Sequence, residues 1–451
     1  MPPPEGSAET AGAPGQGQLL SILGLGFGLA GAVGGTIGAG ILRTPGLVAA
    51  QLGNPAWILG AWLAGGLYAL LGAICVAELS ASLPRAGGWY VYAERAFGPS
   101  AGFVVGWMDW IGHCAGLAWV AITIGDYSAA LLPASLVAQL PGGGASIAVA
   151  ALALFTLIQL PGVRSGSTSQ ELLSLVKAAA FLVLVAACFL IPLPGPIAAP
   201  PPAAMPSAAA AVFALQAVIT TLDGWASPIY FSEEFSAPER DLPRSLIGGV
   251  LAVVGLYLLI NGALLHVLPL GQLASSTLPA ADAARTLAGP LGGRLITGLA
   301  LVSLLGLINT VVMAAPRILF GLSRDGLFPA FGARVNAGGT PTLALLLTSL
   351  AAVALALSGS FEQLLAMAAV IYVCLPLTGI AALLWLRQRE PQLPRPFLTW
   401  GYPLTPLVVA AVSLAFLIGA LVSDTAHGLA ALGLIAVGYP VCLVCRRGLP
   451  A

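Results

Sequence analysis

The residues able to do chemistry in this chain are few, and they sit where long apolar runs are interrupted. Gly34-Gly35-Thr36-Ile37-Gly38-Ala39-Gly40 breaks the first run, and Thr220-Thr221-Leu222-Asp223-Gly224-Trp225-Ala226-Ser227-Pro228 breaks another, five runs later. A helix broken inside a bilayer frees backbone N–H and C=O groups that lipid cannot satisfy, so they must face protein or a polar cavity. The N-terminus of the second half-helix then offers bare N–H groups and the positive end of a dipole to an anion. Freed carbonyls nearby suit an ammonium group. Two such breaks therefore match a small zwitterion. A glycine-rich packing seam would also account for the first break alone; the second, with its Asp-Gly-Trp, argues for a site.

Ionisable groups inside apolar runs are functional candidates by default. Lysine occurs once, as Lys177, among sixteen arginines. If its helix begins near Thr168, Lys177 lies roughly 13 Å deep at 1.5 Å per residue, too deep for easy snorkelling. It is read as a proton-coupling group or as a fixed charge hydrogen-bonded to carbonyls of the first broken helix. Asp223 at the second break either contacts substrate or holds the open helix ends. Asp109 and His113 are four residues apart, on one helix face. They are read as satisfying each other near the cytoplasmic end rather than lining a pathway. Asn309 is a candidate pocket residue, whereas Asp126 and Glu171 fall near helix ends and are read as solvated.

The elements that must position these groups are membrane helices. The chain has 451 residues, 58% hydrophobic and only 8% charged, against roughly a quarter charged in soluble domains, with a mean hydropathy of +0.97. Lipid must face most of it. Runs long enough for a hydrocarbon core of about 30 Å lie near 19–52, 54–83, 97–132, 145–161, 168–192, 209–235, 243–268, 293–322, 341–358, 362–386, 403–423 and 426–446. Twelve spans place both termini on one side. With that side inside, thirteen arginines fall in inner loops and the C-terminal tail and two in outer loops, the asymmetry expected of an inner-membrane protein with cytoplasmic termini. Residues 1–18 contain no basic residue and do not open like a cleavable signal; they read as a disordered tail.

Other classes fall away on residue arithmetic. The single lysine follows Leu175-Val176, so no phosphate loop of an ATP-driven pump exists. No basic run is long enough to grip nucleic acid. Three scattered histidines provide neither a nucleophile–base pair nor a metal cluster, and the six cysteines hold one close pair, Cys442 and Cys445, without the second pair of a zinc site. Neither an enzyme nor a cofactor is expected.

Together the motifs resemble the amino acid–polyamine–organocation superfamily, in particular bacterial amino acid permeases and L-type amino acid transporters. Gly35-Thr36-Ile37-Gly38-Ala39-Gly40-Ile41 is similar to the unwound signature of its first helix. Pro84-Arg85-Ala86-Gly87-Gly88-Trp89-Tyr90-Val91-Tyr92 with Phe97-Gly98-Pro99 is similar to the loop before its third. Asp223-Gly224-Trp225 with Glu233-Glu234 resembles the sixth, and Pro316-Arg317, Ser323-Arg324-Asp325-Gly326-Leu327-Phe328-Pro329 and Thr340-Pro341 the end of the eighth and its loop. The resemblance implies an all-α, leucine-transporter-like fold: a 5+5 inverted repeat over 19–192 and 209–386, broken helices 1 and 6, and two peripheral helices over 403–446. It further implies an amino acid substrate moved by alternating access. The N–H groups around Gly38, Ala39 and Gly40 would hold the carboxylate, and carbonyls near Gly34, Gly35 and Thr220 to Asp223 the amino group. Thr36, Ile37, Leu222, Trp225 and Asn309 complete the expected substrate-binding set. In some proton-coupled members a helix 5 lysine takes the place of a sodium ion, and Lys177 is similar in position, so protons are the expected partner. An exchanger and a non-transporting amino acid sensor remain the alternatives. Thr220 and Thr221 depart from the family's aromatic lid and imply a more polar pocket wall.

Overall fold

The computed structural model describes residues 18–193, 205–358, 361–423, 429, 432–433 and 435–441. Among the described residues the chain is all helical; the only bridge pairs Leu23 with Phe235. That outcome follows from the solvent: without water to satisfy the backbone, each span must bond to itself. The first run forms α1 (Leu25–Thr36) and α2 (Gly40–Leu52), bent by 49° across Ile37-Gly38-Ala39. α3 (Pro55–Ser82) starts where Asn54 Oδ1 accepts from Ala56 N and Pro55 supplies a first-turn residue without an N–H. A short α4 (Trp89–Phe97) precedes α5 (Pro99–Leu131), α6 (Ala134–Gln139), α7 (Gly144–Gln159) and α8 (Val163–Leu190).

The second half begins with α9 (Ala208–Thr221), capped by Ser207. It breaks at Leu222–Ala226 and continues as a 3-10 segment, Ser227–Glu234. Then come α10 (Pro238–Val267), α11 (Leu270–Ser275), α12 (Pro279–Arg324), α13 (Thr342–Ser358), α14 (Phe361–Arg389) and α15 (Leu404–Ser423). α12 is interrupted at Ala288-Gly289, so its span starts near the expected 293. Lys177's helix begins at Val163, not Thr168, which moves Lys177 to the middle of α8. Among the described residues six helices are long and apolar enough to cross a membrane, the bent α1–α2 pair adds a seventh span, and four shorter apolar helices add to these. About half of the run at 426–446, and all of residues 1–17, lie outside the described residues.

Small residues let the central helices touch. A Cβ on Gly249 of α10 would sit 2.4 Å from the Ala32 Cβ of α1, the close backbone approach that membrane interfaces favour. Exposed leucines such as Leu157, Leu175 and Leu190 cover the outside. Lys177, Asp109, His113 and Asn309 are buried inside.

Candidate functional site

The breaks lie against each other. Gly224 has φ +102°, a backbone reserved for glycine, and its Cβ position is 2.3 Å from the Gly35 carbonyl oxygen. Tyr257 of α10 joins both broken ends, its hydroxyl lying 3.2 Å from Thr36 O and 3.4 Å from Thr221 O. Thr44 and Thr221 link their hydroxyls at 2.7 Å. Nothing in the sequence marks Tyr257, because a tyrosine in an apolar run has many uses.

Unwinding leaves a definite set of free backbone groups. Gly38 N–H donates to Thr36 O, so it is not available. The N–H groups of Ala39, Gly40 and Ile41 have no acceptor among the described residues, and they cluster at the N-terminus of α2. The Gly34 carbonyl is taken by Lys177, and the Thr220 carbonyl by Asp223 N–H. Those of Gly35, Leu222 and Asp223 remain without a donor among the described residues.

A cavity of about 450 Å³ borders both breaks. Thr36, Gly38, Ala39, Gly40, Thr220, Asp223 and Trp225 line it as the sequence suggested. Ile37 does not: it is buried and contributes its carbonyl to Lys177. Leu222 turns to a separate small cavity beside Tyr68 and Phe416. Asn309 is also off the wall. It is fully buried, its Oδ1 accepting from Gln159 Nε2 at 2.7 Å and Ser169 Oγ at 3.2 Å, and its Nδ2 donating to Gln170 Oε1 at 2.8 Å. A buried amide must find such partners, and here they tie α7, α8 and α12 together.

Lys177 is the most constrained group. Its side chain has no exposure, and Nζ donates to Gly34 O at 3.0 Å, Ile37 O at 2.9 Å and Ser303 O at 3.3 Å. An ammonium has three donors and no acceptor, so three carbonyls satisfy it completely. Gln170 and Ser174, two turns and one turn away, reach Ala30 O at 3.2 and 2.8 Å. The polar stripe 170, 174, 177 on an otherwise apolar helix was a readable signal, of which only Lys177 stood out. Asp109 and His113 do bond to each other, but on the cavity wall: His113 lines it, with Nδ1 3.0 Å from Asp109 Oδ1.

The cavity reaches the exposed Arg43, beside Thr123 and Tyr127, at one end, and at the other its lining residues Trp89, Ser227 and Tyr230 are buried. The closed end is pinned by ion pairs. Arg85 and the Tyr90 hydroxyl hold the Asp325 carboxylate, and Arg324 pairs with Glu233. Arg317 grips Glu234 through two bonds of 2.7 and 2.9 Å, both buried. Burial and the neighbouring Asp325 carboxylate push Glu94 up to about 7, against the opposing pull of Arg85 and Arg324.

A profile described as "Amino acid permease" matches residues 18–438. The chain belongs to the amino acid permease family. Its relatives include the serine/threonine exchanger SteT of Bacillus subtilis, 30% identical over 90% of this chain and 92% of the relative. The Asc-type amino acid transporter 1 of Mus musculus is 29% identical over 81% and 70%. The mouse large neutral amino acids transporter small subunit 2 is 26% identical over 85% and 74%. The permease is thus a multi-pass membrane transporter of amino acids with the leucine-transporter-like fold, and not an enzyme. Its broken helices are the elements that the fold uses to face a polar cavity.

Proposed function

We propose that this permease is a sodium-independent exchanger of neutral amino acids working by alternating access, the halves 19–192 and 209–386 rocking about the apposed breaks. The free N–H groups of Ala39 and Gly40 take the α-carboxylate, and the free carbonyls of Gly35 and Asp223, on the same cavity wall, take the ammonium. Hydroxyls of Thr36, Thr220 and Thr221 on the wall suit a small polar substrate, in line with the serine/threonine exchanger among the relatives. The arginine bias assigns the ion-paired end to the cytoplasm of the cell membrane, which makes the present conformation outward-facing.

The observation that carries the exchange reading is Lys177, fully bonded to three carbonyls between α1, α8 and α12. A fixed cation there covers oxygens that a coupling ion would otherwise load and leave in each cycle. The amino acid is then the one ligand whose contacts change between states, and only such a ligand can shift their balance. A second reading, proton symport through Lys177, is favoured by one fact. Lys177 has only neutral carbonyl partners, so a tilt of α1 away from α8 would strip a buried charge of two of them.

Purified protein in liposomes separates the two. Exchange predicts uptake of labelled amino acid only into vesicles preloaded with amino acid, indifferent to an imposed proton gradient. Accumulation into empty vesicles driven by inward protons would replace exchange by symport. Binding without flux in any arrangement would leave a sensor.

A further inference from the structure

The buried pair Asp109–His113 has no part in holding the backbone ends of a zwitterion, yet it borders the same cavity. Asp109 is fully buried on α5, and its Oδ1 accepts both the Tyr230 hydroxyl at 3.0 Å and His113 Nδ1 at 3.0 Å. Its Oδ2 is buried with no hydrogen-bond partner among the described residues. The same His113 Nδ1 lies 2.9 Å from the Asp109 carbonyl. The imidazole is fixed by edge contacts with Tyr230, at 4.9 Å between centroids, and Tyr372, at 6.1 Å. The Tyr372 hydroxyl is itself anchored on Gly112 O at 3.2 Å.

This cage decides which ring atom faces the substrate. Carboxylate and carbonyl oxygens only accept, so Nδ1 carries a hydrogen. Nε2 is neither bonded nor sealed off among the described residues, and His113 lines the cavity. A neutral ring presents a lone pair at Nε2, and a protonated ring presents an N–H. A hydroxyl serves either, being donor and acceptor at once, and a methyl group serves neither. Tyr230 also lies within the 3-10 segment Ser227–Glu234 that follows the second break, so its bond to Asp109 ties the pair to that break.

We propose that His113, held in place by Asp109 and Tyr230, is the side-chain specificity residue of this permease and selects amino acids whose side chain carries a hydroxyl. The proposal rests on the reading of the cavity as the amino acid site. His113 would touch the substrate; Asp109 is a positioning residue acting through it. A site built around a hydrogen bond to a hydroxyl discriminates strongly against the analogue that lacks it, because its own polar atom is left unpaired.

The test compares labelled L-threonine with L-valine, which has a methyl in place of the hydroxyl, by counterflow in proteoliposomes at low substrate concentration. The expected rate ratio in the wild type is about tenfold or more in favour of threonine. H113F brings it to within about twofold of unity, D109N lowers it by several fold, and H113Q keeps part of it. Loss of bulk stability would slow both substrates and leave their ratio in place. A wild-type ratio near one overturns the proposal whether or not any variant folds, and so does a ratio unchanged in H113F. Absence of flux for every amino acid in the wild type overturns the carrier reading beneath it as well.

Discussion

Replacing Lys177 with methionine shortens the unbranched side chain by one atom and removes its three hydrogen bonds. The cost follows from what each carbonyl has left. Ser303 O lies inside α12 and retains its own helical donor. Gly34 O and Ile37 O lie at the break, where the residues four positions on, Gly38 and Ile41, do not donate to them. Two buried carbonyls are therefore orphaned, at about 1–3 kcal/mol each. Methionine in turn no longer carries the desolvation cost of a buried ammonium. The balance is a loss of about 3 kcal/mol, read as a fall of roughly 5 °C in melting temperature in detergent. The same loss concentrated on the α1 break lowers counterflow by at least about tenfold. Melting curves by tryptophan fluorescence, followed by counterflow in liposomes, measure both. A Lys177→Met protein that melts within about 1 °C of wild type and exchanges at full rate would refute the assignment. One that keeps exchange and loses only gradient-driven uptake would transfer Lys177 to proton coupling.

Other expectations concern the packing around the site. Gly224→Ala drives a Cβ into the Gly35 carbonyl in a left-handed backbone, so counterflow is lost, whereas Gly60→Ala, with nothing within 4 Å, leaves transport unchanged. Glu234→Gln strands the buried Arg317 guanidinium and costs about 3–5 kcal/mol, visible as poor yield and a lowered melting temperature; combining it with Arg317→Met restores part of the loss. Glu94 titrates near 7 in the closed end because of burial and Asp325. A raised carboxyl favours the closed arrangement when protonated, and that advantage is lost as pH rises from the ordinary glutamate range through about 7. Exchange should therefore quicken over that window on the Arg85 side, and Glu94→Gln should be slow and flat with pH.

The class of molecule, the helical runs and both breaks were legible because they depend on composition and local chemistry. Lipid imposes helices on any chain this apolar. Glycine clusters and an Asp-Gly-Trp within such runs announce where the helix cannot continue. Lys177 stood out for the same reason, as a single costly charge in the middle of an apolar segment. The resemblance to a known family rested on those same local patterns.

What the sequence alone could not decide was which freed groups are already satisfied, because partners lie far apart along the chain. Gly34 was assigned to substrate, and its carbonyl belongs to Lys177, 143 residues away. Asn309 had the right type for a pocket, yet three residues from other helices close around its amide. Asp109 and His113 are readable as neighbours from their spacing of four, but the place of His113 on the cavity wall depends on Tyr230 and Tyr372 packing against it. Sequence by itself determined where backbone hydrogen bonding must fail. Tertiary structure alone decided which of the exposed groups are answered from another helix and which are left facing the cavity, since hydrogen bonds between distant segments exist only once those segments are packed.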